Sequence, residues 1–396
     1  ILLLWAVLVY RRARLWTVPL FVPALLCLVM AIGSVVVGDV RTNVAVFALR
    51  VLFQPLLFYF IGFLFPKNKR WVQWTVAVFL VAGVALAAHG LFQYVTHAPM
   101  PTRWVDASET HISTRAYSII ENPNGLGAIL LIGTLISFSL ALGRGLPRIQ
   151  RLLLAAVCAV QLAGVAVTFS RGAWLGLAAG VFALLILAYR RYLVPLVAVG
   201  ALGWFVAPAR FTERLVFAFS STYIAKSMVA GRLLVWKMAL QHAAAHPLFG
   251  LGLGTFGGTA AVRFGYGRLW VDNFYLQLAA EGGVILLIAF LWVLLRAAKG
   301  LVKAYVQSAD PYLQPLAAGT FGAFIAVAAA NVTASVWETL VVGVAFWFFA
   351  GLVTSAVLHA VPCEECRNTV VGETVVGAAG ATRNMPPDAA LDRSVS

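Results

Sequence analysis

Apolar residues fall along this chain in long blocks, with polar residues confined to short connections between them. A helix crosses the hydrocarbon core in about 20 residues and satisfies its own backbone polar groups there, so blocks of this length predict membrane-spanning helices. The expected spans are 15–38, 43–65, 71–95, 119–142, 151–169, 173–189, 192–207, 273–295, 315–333 and 337–360. An apolar stub at 1–10 precedes them, too short to cross, and the chain opens on Ile1 rather than Met. Allowing for the stub and a helix ahead of it, the expectation is an all-α polytopic membrane helix bundle of about 11–12 helices. The blocks divide the chain into an N-terminal bundle (1–207), a long external segment (208–272), C-terminal transmembrane helices (273–360) and a tail (361–396). The tail lacks periodicity and reads as disordered and cytoplasmic.

Composition supports the pattern. The chain is 62% hydrophobic and 11% charged, whereas soluble domains carry about 25% charged residues. A soluble enzyme, a disordered chain and a disulfide scaffold are excluded. Charge adds orientation. Of 29 Lys and Arg, 17 lie in connections on one side of the alternating spans, which marks that side as cytoplasmic. Eleven lie on the other side. Arg41, Arg103, Arg115 and Arg171 sit in short connections; Arg210, Arg214, Lys226, Arg232, Lys237, Arg263 and Arg268 sit in the long segment. Few acids accompany them. These external cations suit either lipid headgroups or an anionic, membrane-borne substrate, and their number favours the substrate.

Within the long segment, residues 230–246 predict an amphipathic helix ended by Pro247. Arg232 and Trp236, four apart, share a face, and such a helix can lie on the bilayer surface with its cations facing a lipid diphosphate. The glycine run after it, GLGLGTFGG, follows a helix rather than a strand, so it reads as a tight return and not as a phosphate cradle. No metal ligand set stands out. Cys363 and Cys366 form a lone CxxC, and His242 and His246 lack a third ligand. Cys27 and Cys158 lie inside apolar runs as packing residues.

Three stretches taken in order then carry a resemblance: RAYSIIENPNGLG (115–127), TFSRGAWLG (168–176), and the pair GRLLVWKMALQHAAAHPLFGLGLGTF (231–256) with VDNFYLQLAAEGG (271–283). Over about residues 70–360 this arrangement resembles the O-antigen ligase/polymerase family of bacterial membrane glycosyltransferases. The resemblance implies transfer of a glycan from undecaprenyl diphosphate to an acceptor glycan or lipid-linked acceptor, at the outer face of the cytoplasmic membrane. It implies no cofactor, metal or nucleotide sugar, since the diphosphate lipid is itself the leaving group. The implied partners are that donor, the acceptor, membrane lipids and proteins of polysaccharide assembly, with no nucleic acid.

Arg171 through Leu175 matches the family's RxxxL motif, and Arg232 matches its second essential arginine. Where ligases carry a His, this chain has Asp272 followed by Asn273, which tilts the expectation slightly toward polymerase. Arg171 and Arg232 are expected to hold the diphosphate through guanidinium geometry, with Arg263, Arg268 and Arg115 as helpers. Asp272 is the candidate base, equally readable as a helix cap. Asn273 and Glu281 are expected near the acceptor, although a structural ion pair is the preferred reading of Glu281. Asn122 and Asn124 flank Pro123 and are expected to fix a turn. The main alternative is a transporter of small anions or lipid-linked substrates, which calls for polar groups at the bilayer midplane. A noncatalytic scaffold in polysaccharide assembly is a third reading.

Overall fold

The computed structural model describes residues 17–65, 68–101, 104, 114–206, 208–267 and 270–358. Among them are fourteen α-helices and no strand: α1 (Phe21–Val37), α2 (Thr42–Leu64), α3 (Lys69–Val95), α4 (Pro123–Leu142), α5 (Arg148–Val167), α6 (Arg171–Ala188), α7 (Leu193–Val206), α8 (Ala209–Phe217), α9 (Ser221–Ala230), α10 (Arg232–Ala245), α11 (Gly258–Phe264), α12 (Phe274–Gln307), α13 (Leu313–Ala330) and α14 (Leu340–Leu358). The fold is an all-α polytopic bundle. Eight helices, α2 to α6 and α12 to α14, are long and apolar enough to cross a membrane.

Of the ten complete spans expected, eight are thereby matched among the described residues. The stub at 1–10 and the tail at 361–396, with Cys363 and Cys366, lie outside them, as do Arg103 and Arg268. The block at 15–38 yields only the 17 residues of α1, because Pro19 lacks an N–H and restricts the residue before it. The block at 192–207 becomes one arm of a bent pair: Arg190–Val206 and Phe211–Phe217 meet at 97°. Counted as a single span, that pair brings the total to nine.

Close approach between spans rests on small residues. Gly172, Gly176 and Gly180 recur every four residues on α6, and a Cβ at each would run into Thr333, the Ala326 carbonyl and the Gly322 carbonyl, respectively. Lipid tails offer no hydrophobic gradient between helices, so backbone proximity of this kind supplies the packing attraction. At the centre lies α4, whose residues from Gly125 to Ser137 are all buried.

Helix α12 runs 34 residues, so Arg296, Lys299 and Lys303 extend it rather than lie in a loop. It breaks at Gly283, which adopts φ 73° and ψ 176°. That break frees backbone groups, and the glycine run takes them up. Leu251 N donates to Ala280 O, Gly252 N to Glu281 O, and Val284 N to Pro247 O. Ser34 Oγ adds a second bond to Glu281 O at 2.8 Å. Backbone groups at the break are thereby bonded within the protein.

Candidate functional site

Two turns and a helix bring Arg171 and Arg232 to one end of the bundle. Arg171 is the first residue of α6, behind the cap Ser170, whose side chain accepts from Ala173 N. The preceding turn contains Phe169 at φ 49°, a left-handed conformation that an aromatic residue adopts only under constraint. Its carbonyls are held one by one. Val167 O accepts from Ala116 N, Thr168 O from Arg115 Nε at 2.9 Å, and Phe169 O from Arg214 Nε at 2.7 Å. The Phe169 ring stacks on Phe211 at 5.0 Å between centroids.

Arg115 was expected to bind substrate. Instead it is buried, donating also to Trp104 O and to Asn124 Oδ1, and it braces the turn that aims Arg171. Asn122 caps α4 and Asn124 accepts from Ser170 Oγ, so both asparagines fix local geometry as expected.

The guanidinium of Arg171 lies 4.8 Å from the centre of the Tyr223 ring. Its Nη1 is buried and has no hydrogen-bond partner among the described residues, and neither has the buried hydroxyl of Thr333, which abuts Gly172. Tyr223 belongs to α9, and one turn later Ser227 Oγ accepts from Leu233 N. Helix α9 thus links Arg171 to Arg232, the first residue of α10.

Arg232 Nε donates to Asp272 Oδ2 at 2.8 Å, with both side chains a little over a quarter exposed. Trp236, one turn along, donates from Nε1 to Val271 O at 2.8 Å, so the shared face of α10 predicted from the sequence grips residues 271–272. The helix packs on α12 through Val235 and Ala239 rather than lying apart on a surface. Asp272 is not the cap. It sits at φ 50°, and Asn273 caps α12 by accepting from Leu276 N. The Asn273 oxygen is thereby committed to the helix start.

Glu281 also departs from expectation. No arginine among the described residues pairs with it; its carboxylate accepts from Gly254 N, Phe256 N and Gly257 N at 3.0, 3.2 and 2.9 Å. Gly250, Gly252, Gly254 and Gly258 carry positive φ, which folds the run so that its N–H groups converge. The return is tight, as expected, and its N–H groups converge on the chain's own acidic side chain.

The sequence reading passed over Glu338, and no local motif marks it. It accepts from Thr259 N and Oγ1 at 2.7 and 2.8 Å, and from Gln277 Nε2 at 2.7 Å. Burial pushes its carboxyl above the ordinary value and the nearby charge of Asp272 adds to the rise, while the bonds from Gln277 and Thr259 oppose it. Tyr223 and Arg214 were likewise overlooked as partners of the Arg171 turn.

Arg263 is held elsewhere, 4.8 Å from the Phe47 ring centre on α2 and 5.9 Å from Phe264. Arg41 stands near this second cluster, donating to Tyr266 Oη at 3.0 Å. Arg268 lies outside the described residues.

The family model described as O-antigen ligase matches residues 154–291. That stretch runs from α5 into α12 and contains Arg171, Arg232, Asp272 and Glu281. No curated protein matches the chain. Over that stretch the chain is similar to O-antigen ligases, and its long apolar helices mark a multi-pass membrane protein.

Proposed function

We propose that this chain transfers a glycan from undecaprenyl diphosphate to an acceptor glycan at the outer face of the cytoplasmic membrane, as a polymerase in preference to a ligase. The observation that carries the reading is Arg171, a guanidinium aimed by a clamped turn, stacked on Tyr223, and holding a buried nitrogen with no hydrogen-bond partner among the described residues. A buried donor left unmatched is disfavoured unless a ligand completes it. A diphosphate oxygen does so with charge assistance. The cytoplasmic assignment of the 17 cations at the opposite end supports the outer face.

In the reaction, the bond between the anomeric carbon and the diphosphate oxygen breaks and its electron pair leaves with the lipid diphosphate. Arg171 and Arg232 stabilise that charge. The acceptor hydroxyl forms the new bond, and its proton passes to Asp272, whose Oδ2 is oriented by Arg232. Asp272 stands where ligases carry His, and this favours a lipid-linked repeat as acceptor over lipid A–core.

The test is glycan transfer in proteoliposomes supplied with purified lipid-diphosphate-linked repeat. Arg171→Ala and Arg232→Ala are each expected to lower turnover by about 10²–10³-fold while unfolding like the parent protein. Full turnover in either variant overturns the reading. A product lengthened on its lipid marks a polymerase; product formed only with lipid A–core marks a ligase.

A further inference from the structure

At the end of the bundle opposite Arg171, a groove of about 620 Å³ opens between the C-terminal turn of α4 and the outward face of α5. Its mouth carries Arg148 and Arg151, and its walls are apolar, including Phe138, Leu152, Ala155 and Leu162. Those α5 residues recur at helical spacing, so they form one stripe with both cations at its polar end. From Leu152 to Leu162 the stripe descends about 15 Å, the depth of one leaflet of a core about 30 Å thick.

The cations are placed for an anion. Arg151 Nε donates to Ala141 O at 2.9 Å, which fixes its guanidinium at the mouth. Arg148 is exposed and has no protein partner among the described residues. The start of α5 adds positive character, since Pro147 gives no side-chain cap and the first turn holds no acid. The contrast with Lys69 is direct: at the same end, that lysine is paired with Asp310 at 2.6 Å.

We propose that this groove binds one anionic phospholipid, with the phosphate between Arg148 and Arg151 and an acyl chain along Leu152–Leu162. Charge and shape select the ligand together. A zwitterionic headgroup brings its own cation to the mouth, and a free phosphate leaves the apolar stripe uncovered. The site is remote from the proposed glycan chemistry and does not depend on it.

Native mass spectrometry of the full chain released from nanodiscs of equimolar phosphatidylglycerol and phosphatidylcholine tests the proposal. Retained phosphatidylglycerol is expected to exceed phosphatidylcholine by roughly thirtyfold, the preference two basic residues near an anionic lipid supply. Arg148→Gln/Arg151→Gln should return the ratio to that of the bulk. Arg148→Gln alone, which breaks no protein contact, should remove about fivefold, and Arg148→Lys should keep most of the preference. Lys299→Gln/Lys303→Gln, which takes the same charge from the same end outside the groove, should leave it intact. The proposal is overturned if the double arginine variant keeps its enrichment or if the lysine variant loses it equally. It is also overturned if inorganic phosphate at low millimolar levels strips the lipid, since the acyl chain would then contribute nothing.

Discussion

Arg171 combines two kinds of contact that a lysine cannot reproduce: a planar face against Tyr223 and a fork of donors, one of them buried without a partner among the described residues. Arg171→Lys is accordingly expected to lose transfer nearly as completely as Arg171→Ala, with turnover in proteoliposomes as the measurement. The position of this residue was legible, because an arginine at the outer end of a span is misplaced by the orientation rule. Its partners were not. Tyr223 is 52 residues away in the sequence, and nothing within its own helix distinguishes it from a packing tyrosine. Glu338 was hidden for the same reason, since Thr259 and Gln277 reach it across 79 and 61 residues. Its raised carboxyl pKa has a sign that can be checked. The folded protein holds that proton more tightly than the unfolded chain, so the stabilisation is complete below the ordinary carboxylate value and is lost as pH rises through the raised one. Thermal unfolding in detergent should therefore show a midpoint that falls with rising pH across this window. Glu338→Gln, which cannot ionise, should flatten the slope.

Elements were read from the sequence as far as their causes were local. Apart from the extension of α12 to Gln307, spans with intact apolar runs appeared within a few residues of expectation, and α10 ended ahead of Pro247 as its sequence required. The failures share a physical origin. Pro19 lies where hydropathy is still high, so a window of apolar residues passes over it although the helix does not. The break in α12 at Gly283 is silent in hydropathy too, because the groups that satisfy it come from residues 247–252. By contrast, Gly172, Gly176 and Gly180 do have a local signature, a repeat of four, and its consequence is measurable. Gly176→Leu drives a side chain into the Ala326 carbonyl and is expected to destabilise the bundle by about 2 kcal/mol, read from its unfolding midpoint in detergent.

Across the whole molecule, the division of charge between the two ends was the most legible feature, since it sums many residues and depends on no single contact. That division does not account for Glu281, an acidic residue two turns inside α12, where an isolated acid raises the free energy of insertion by up to about 3 kcal/mol. In the mature protein three amides of residues 254–257 surround it. Those residues precede the span, so during synthesis they emerge from the ribosome before Glu281 does. Biogenesis thus has a natural order, in which the glycine-rich return is on hand when the acid enters the bilayer and the two arrive as one unit. Insertion of α12 should then depend on its upstream neighbour. In a membrane-integration assay with glycosylation reporters, residues 271–300 alone are expected to integrate less efficiently than residues 247–300, and Glu281→Leu should erase the difference. Equal integration of both fragments would mean that the carboxylate meets its amides only after the bundle has assembled.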